Sequence, residues 1–290
     1  MVQLADGDIQ TREVLGWRGI HVLHHTTSSC SQKMRIVLNI KGVPWESHVI
    51  DLREKRNNEA WFLGINPRGL VPVLIHDGAV HIESNDIVMY LDEYFPDPRL
   101  VPEGREDEMA GLLKDEDDLH LDLRNLTMRY VIPPDVVGKS PEVLASYRRY
   151  GSGTVQGAPD TRRAIELDYW ERFNAEDGIT DEAVAASAQR FRKEFDELET
   201  ILAEQEFLFC DSLSLLDVAW FVYVTRMKLV SYPVETLHPG VGSWYKNLKS
   251  RPVFSEEAQV PDKVRAQLVE RREREANEGK SLVQLAGFSA

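Results

Sequence analysis

The stretch His21-Val22-Leu23-His24-His25-Thr26-Thr27-Ser28-Ser29-Cys30-Ser31-Gln32-Lys33-Met34-Arg35 passes from strand to helix within fifteen residues. His21 to His25 reads as strand. From Ser28 to Lys41, Cys30, Met34, Val37, Leu38 and Lys41 recur at spacings of three and four, the single stripe of an amphipathic helix. Gly42 and Pro44 end it. Three serine hydroxyls and one thiol therefore sit at a helix N-terminus. Unpaired backbone N–H groups and the positive end of the helix dipole favour a thiolate there over a thiol. The sulfur so favoured is either that of Cys30 or that of a bound thiol.

Outward from this segment, Trp45 to Asp51 alternates as a second strand and Asn57 to Ile65 reads as a short helix or turn. Val71 to His76 and Ala79 to Glu83 flank Asp77-Gly78, a strong tight-turn signal, and form a hairpin. A helix from Ser84 to Tyr94 stops at Phe95-Pro96-Asp97-Pro98. Beyond residue 100 the pattern is helical. Leu112, Leu113, Leu119, Leu123 and Leu126 lie near helical spacing, Pro133-Pro134 closes that segment, and Asp181 to Glu204 is helical again. Between them, Gly151-Ser152-Gly153-Thr154 and Gln156-Gly157-Ala158-Pro159 mark an irregular insertion.

Composition narrows the function. The 290 residues are 42% hydrophobic and 28% charged, as in an ordinary globular protein. A formal charge of −14 disfavours nucleic acid, whose binding needs a basic face. No apolar run approaches the roughly 18 residues of a membrane span, and the first residues lack the pattern of a secretory signal, so no membrane and a cytoplasmic location are expected. Cys30 and Cys210 lie far apart and offer neither a disulfide scaffold nor metal-ligand spacing, so no metal is expected. His21 and His25 share one strand face and His24 the other; they read as strand histidines. Glu116-Asp117-Asp118 with His120 and Asp122 reads as a solvated acidic face, because consecutive acids on a helix diverge.

The order strand, helix, strand, helix, strand, strand, helix is that of a thioredoxin-like domain. Ser28-Ser29-Cys30-Ser31, Lys41-Gly42-Val43, Asn66-Pro67-Arg68-Gly69-Leu70-Val71-Pro72-Val73-Leu74, Asp77-Gly78 and Glu83-Ser84, in that order, resemble the N-terminal half of cytosolic glutathione S-transferases. The Ser-Ser-Cys start is similar to the zeta class and to related reductive dehalogenases. Similarity to glutathione-dependent β-etherases is weaker. The fold this implies is an α/β thioredoxin-like N-terminal domain plus an all-α C-terminal domain. The expected boundaries are an arm at 1–18, a glutathione-binding domain at 19–98, a linker at 99–107, an all-helical electrophile-binding domain at 108–255 and a charged extension at 256–290.

The resemblance also implies roles. Ser84, opening a helix, would hold the γ-glutamyl carboxylate of glutathione, and Glu83 its ammonium group; as an N-cap alone, Ser84 would be unremarkable. The Val71-Pro72 bond would be cis, with the Val71 backbone pairing with the cysteinyl part of the ligand. Ser28 is the leading hydroxyl donor to the thiolate, with Ser29 and Cys30 beside it and Ser31 a further candidate. In a dehalogenase-like pattern Cys30 would instead form a mixed disulfide with a glutathione conjugate; packed inward, it would be a small hydrophobe. Leu70 stands where many relatives have Gln or Lys, so Arg53, Arg56 or Arg68 would take over the glycine carboxylate. The activity implied is activation of glutathione, as co-substrate, for attack on a small apolar electrophile by a homodimer. A Cys30-dependent thioltransferase or dehalogenase, or a non-catalytic interaction protein, are the alternatives. Tyr130, Tyr169 and Trp170 are candidates for an electrophile pocket or for core. Ser214 and Asp217 read as a structural capping box, and Asp262 to Lys280 as an exposed helix with i,i+4 ion pairs.

Overall fold

A computed structural model describes residues 2–288; Met1 of the expected arm and Ser289 and Ala290 of the expected extension lie outside the described residues. In chain order the strands are β1 (Val2–Gln3), β2 (Ile20–His24), β3 (Glu46–Val49), β4 (Val73–His76), β5 (Ala79–Ile82), β6 (Thr154–Val155) and β7 (Ala158–Pro159). The helices up to residue 175 are α1 (Ser29–Ile40), α2 (Ala60–Leu63), α3 (Ser84–Tyr94), α4 (Glu106–Asp117), α5 (His120–Tyr130), α6 (Pro134–Val137), α7 (Pro141–Arg149) and α8 (Arg162–Ala175). They continue with α9 (Asp181–Leu202), α10 (Leu215–Leu229), α11 (Val234–Leu237), α12 (Pro239–Lys249), α13 (Pro252–Glu257), α14 (Asp262–Asn277) and α15 (Leu282–Ala286).

Two compact units result. The first comprises residues 1–98 and 137–177, the second 99–136 and 178–290. The expectation of one helical domain over 108–255 is thus corrected at its centre, where 137–177 folds with the N-terminal unit. The physical reason is a set of specific contacts. Val155 joins the core formed by Leu4, Ile9, Val14, Leu23 and Phe62. Asp8, fully buried, accepts hydrogen bonds from Thr154 Oγ1 at 2.6 Å and from the Gly157 backbone at 3.2 Å. The Tyr147 hydroxyl donates to the Arg68 carbonyl at 2.9 Å.

In the first unit the sheet runs β1-β5-β4-β2-β3. β2 and β3 are parallel, as the intervening α1 requires, and the other pairs are antiparallel. Asp77 and Gly78, both at positive φ, make the hairpin turn of β4 and β5. The edge strand β1, two residues long, was not anticipated. β2 is buried along its whole length because α1 covers one face and the N-terminal arm with α2 the other. On α1 Ser31, Lys33, Met34, Arg35, Ile36, Val37 and Leu38 are buried, more than the single stripe expected, whereas Cys30 is only half-buried.

In the second unit α5, α9, α10, α12 and α15 pack together. The Ser214–Asp217 capping box is formed, and the buried Asp217 carboxylate also accepts from Leu208 N and Trp244 Nε1. The solvated acidic face is corrected in part. Glu116 is fully buried, and Asp122, 8% exposed, accepts from Ser187 Oγ at 2.9 Å and pairs with Arg190. Because consecutive acids on a helix diverge, Glu116 of α4, which packs on α10, and Asp122 of α5, which packs on α9, are drawn inward while Asp118 stays exposed. The Arg- and Glu-rich α14 docks as well as solvates. Arg271 donates to the Ile132 carbonyl at 2.8 Å and Arg272 to that of Leu229 at 2.9 Å, while Leu268 and Glu275 are buried.

Candidate functional site

Sheet pairing gathers the sequence-predicted residues at one end of the first unit. Leu23 of β2 faces Val73 of β4, and Leu74 of β4 faces His81 of β5. Antiparallel pairing therefore sets the exit of β2, the entry of β4 and the exit of β5 side by side. Ser28 follows the first, Val71-Pro72 precedes the second, and Glu83-Ser84 follows the third. α1 packs on α3, and Lys33 Nζ bridges to Asn85 Oδ1 at 2.6 Å, linking the N-terminal halves of the two helices.

Ser28 is the N-cap of α1, its hydroxyl oxygen accepting from Ser31 N at 3.3 Å. A capping hydroxyl accepts with its lone pair and keeps its own proton for donation. Ser28, Ser29 and Cys30 are all half-buried, and Cys30 forms no disulfide. Ser31 is buried, and its hydroxyl accepts from His25 N. The loop entering α1 is clamped by buried Arg35, which donates to the His25 and Thr26 carbonyls at 3.1 and 2.9 Å and to His24 Nδ1 at 3.0 Å. Burial, then the charge of Arg35, depresses the His24 pKa to about 4. A neutral His24 can accept from Arg35 and donate from Nε2 to Ser47 Oγ at 2.8 Å.

The Val71–Pro72 peptide is cis, and the β4 ladder begins only at Val73. The preceding loop is fixed by Asn57 Nδ2 to the Gly69 carbonyl at 2.7 Å, and by Asn66 Nδ2 to the Leu70 carbonyl at 2.8 Å. Gly69 is at φ +64, and a Cβ there would meet the Tyr147 ring at 3.0 Å.

Glu83 stands at φ 67, ψ 115, immediately before buried Ser84 at the start of α3. A non-glycine residue held in such a conformation marks a place where function or surrounding contacts impose it. The contacts are visible. Glu83 Oε1 accepts from Arg68 Nη1 at 2.5 Å and Oε2 from Arg162 Nη1 at 2.8 Å. Arg68 Nε and Nη2 in turn grip Asp160 in a fork at 2.9 and 2.8 Å. Burial opposes the Arg68 charge, but Asp160 and Glu83 outweigh it and push its pKa up.

Arg68 thus directs its guanidinium to two protein carboxylates, Glu83 and Asp160. Arg56 is paired with Glu59 at 2.6 Å, and Arg53 is exposed. Asp160, Arg162 and Tyr147 were not anticipated. They come from 137–177, and an ion pair across 92 residues leaves no periodic trace. The glycine-rich turns that precede Asp160 were a local signal of the insertion. Tyr130 is buried with its hydroxyl on the Lys280 carbonyl at 2.9 Å, and Tyr169 and Trp170 are buried edge-to-face at 5.2 Å.

Residues 27–94 match the family model described as glutathione S-transferase, N-terminal domain, and residues 181–247 that described as glutathione S-transferase, C-terminal domain. Glutathione S-transferase 1 of Dianthus caryophyllus is 42% identical over 76 residues, which are 26% of this chain and 34% of that protein. Such relatives are therefore matched over about a third of their own length. Protein LigF of a Sphingobium species is 24% identical over 78% of this chain and 88% of its own. The crystal structure of β-etherase LigF superposes with a TM-score of 0.67 at 23% identity, covering 82% of this chain and 98% of that one, a likeness of fold. With both family domains matched in order and the fold shared, the chain belongs to the glutathione S-transferase superfamily.

Proposed function

We propose that this chain binds glutathione at the end of the β2, β4 and β5 strands and activates its thiol for attack on a small apolar electrophile. The observation that carries this reading is the convergence, within one unit, of a capping hydroxyl at a helix N-terminus, the Val71-Pro72 entry to β4 and the Glu83-Ser84 start of a second helix. Ser84 and the first turn of α3 receive the γ-glutamyl carboxylate, Glu83 its ammonium, and the Val71 backbone the cysteinyl portion. The sulfur then lies toward Ser28, whose hydroxyl proton and helix dipole favour the thiolate. In the reaction the S–H proton is lost to solvent, a carbon–sulfur bond forms, and the bond to the leaving group breaks with its electron pair. Likeness to a β-etherase makes ethers natural electrophiles to try first. A cytoplasmic homodimer completes the reading, and light scattering of the purified chain tests its dimeric state. No helix among the described residues is long and apolar enough to cross a membrane.

One observation favours a second reading. Cys30 is half-exposed beside Ser28 and Ser29, positioned for mixed-disulfide chemistry. Calorimetric titration with glutathione is the primary test: a folded chain that gives no binding heat excludes both readings and leaves an interaction protein. If glutathione binds, replacing Cys30 with Ser separates them, preserving conjugation under the first and abolishing turnover under the second.

A further inference from the structure

His21, Glu46 and His48 form a cluster that the glutathione site does not use. In the parallel register His21 faces Glu46 and Leu23 faces His48, so the three side chains share the sheet face covered by the N-terminal arm. They sit at the start of the edge strand β3. Along β2, His21 lies three residues, about 10 Å, before the exit that leads to Ser28.

His21 Nδ1 is 3.0 Å from His48 Nε2 and 3.4 Å from Glu46 Oε2; His48 Nε2 is 3.6 Å from Glu46 Oε1. Four ligands at about 2.0–2.1 Å around a tetrahedral zinc ion lie about 3.3 Å from one another. The imidazole pair lies close to that value, and the Glu46 carboxylate reaches each ring with a different oxygen, so that a turn of this exposed side chain brings one oxygen to both. The tautomer of His21 also suits a ligand. Its Nε2 is 2.9 Å from the Arg18 carbonyl, a partner that can only accept, so Nε2 bears the proton and Nδ1 presents a lone pair to the cluster. A backbone carbonyl on the far nitrogen is a recurrent support of metal-bound histidine. Trp17 stacks on His48 at 4.6 Å and lies tilted on His21 at 4.7 Å, holding both rings in place. Glu46 is 65% exposed and His48 25%, which leaves an entry path and room for water ligands.

We infer that His21 Nδ1, His48 Nε2 and the Glu46 carboxylate form a binding site for a borderline divalent transition ion, zinc in particular. Binding needs His48 to carry its proton on Nδ1, a change of tautomer without change of charge. Two imidazoles and one carboxylate select against magnesium and calcium, which take oxygen ligands.

Calorimetric titration of the full chain with zinc chloride, without glutathione, tests the inference beside a magnesium control. One equivalent should bind, and both His48→Ala and Glu46→Gln should raise its dissociation constant at least tenfold. Both positions are partly or largely exposed, and far-ultraviolet circular dichroism checks that each variant is folded. Copper(II) should quench the tryptophan emission of the unmodified chain, and Trp17→Phe should remove that component. Glutathione binding by His48→Ala should be unchanged. Zinc titrations identical in the unmodified chain and both variants would overturn the site, as would copper quenching indifferent to Trp17→Phe.

Discussion

Ser28 has two separable duties, and the difference between them is measurable. As a cap it needs only an acceptor for Ser31 N, which Asp supplies as well as Ser. As an activator it must donate a proton to sulfur, which Asp cannot do when ionised, and its charge would oppose the thiolate. Ser28→Asp should therefore keep the urea midpoint while raising the thiol pKa of bound glutathione. Conjugation at neutral pH should fall about tenfold for each unit of that rise and recover at alkaline pH. Ser28→Ala should lose both functions, at about 1 kcal/mol of stability for the cap. Arg162 gives a second test at this scale. It occupies the Glu83 oxygen that the proposed ligand's ammonium would use, and its side chain is 52% exposed. Arg162→Ala should tighten glutathione binding a few-fold by calorimetry; weaker binding would mean that Arg162 holds the ligand instead of competing with it.

At the scale of elements, buried neutral histidines make the sheet sensitive to acid. Burial depresses the pKa of His24 to about 4 and likewise that of His81, whose ring stacks on Tyr90 at 4.3 Å. An unfolded chain takes up these protons near pH 6.5, the folded one only near 4. Between those values the unfolded state binds more protons, so stability is full above about 6.5 and falls as pH drops toward 4. Among the described residues neither His81 ring nitrogen has a hydrogen-bond partner. Hence His81→Phe should flatten the pH dependence of the melting temperature over that range; an unchanged slope would place the acid sensitivity elsewhere. Elements with a period of their own were legible in the sequence: α1 from its stripe, the β4–β5 hairpin from Asp77-Gly78, α3 from Ser84 to its proline stop, and the α10 cap. What escaped has no period. β1 is two residues long, Glu116 and Asp122 are buried by packing that charge patterning does not encode, and His21 meets His48 only through strand register. The same limit divides the candidate site. Ser28, Val71, Pro72, Glu83 and Ser84 stand at element boundaries that local rules reveal, whereas Asp160 reaches Arg68 only through the tertiary fold.

For the molecule as a whole, the decisive feature is that 137–177 folds with the N-terminal unit and closes its ionic network over Glu83. Arg68 and Asp160 are 9% and 5% exposed, so the pair is buried. Removing one partner of such a pair leaves an uncompensated charge and costs about 3–5 kcal/mol, though Glu83 keeps Arg68 partly satisfied and places the expected loss at the low end. The Arg162–Glu83 pair, whose arginine is half-exposed, is worth about 1 kcal/mol by comparison. Urea denaturation should therefore rank Asp160→Ala well below Arg162→Ala in stability. Hydrogen exchange on the intact chain supplies the test that stability alone does not. If 154–162 belongs to the glutathione subsite through Arg68 and Glu83, adding glutathione should slow amide exchange there together with residues 28–32 and 83–86. In Asp160→Ala the protection should persist at 28–32 and vanish at 154–162. Exchange in 154–162 that ignores the ligand in the unmodified chain would make this segment a structural brace alone, with no part in binding.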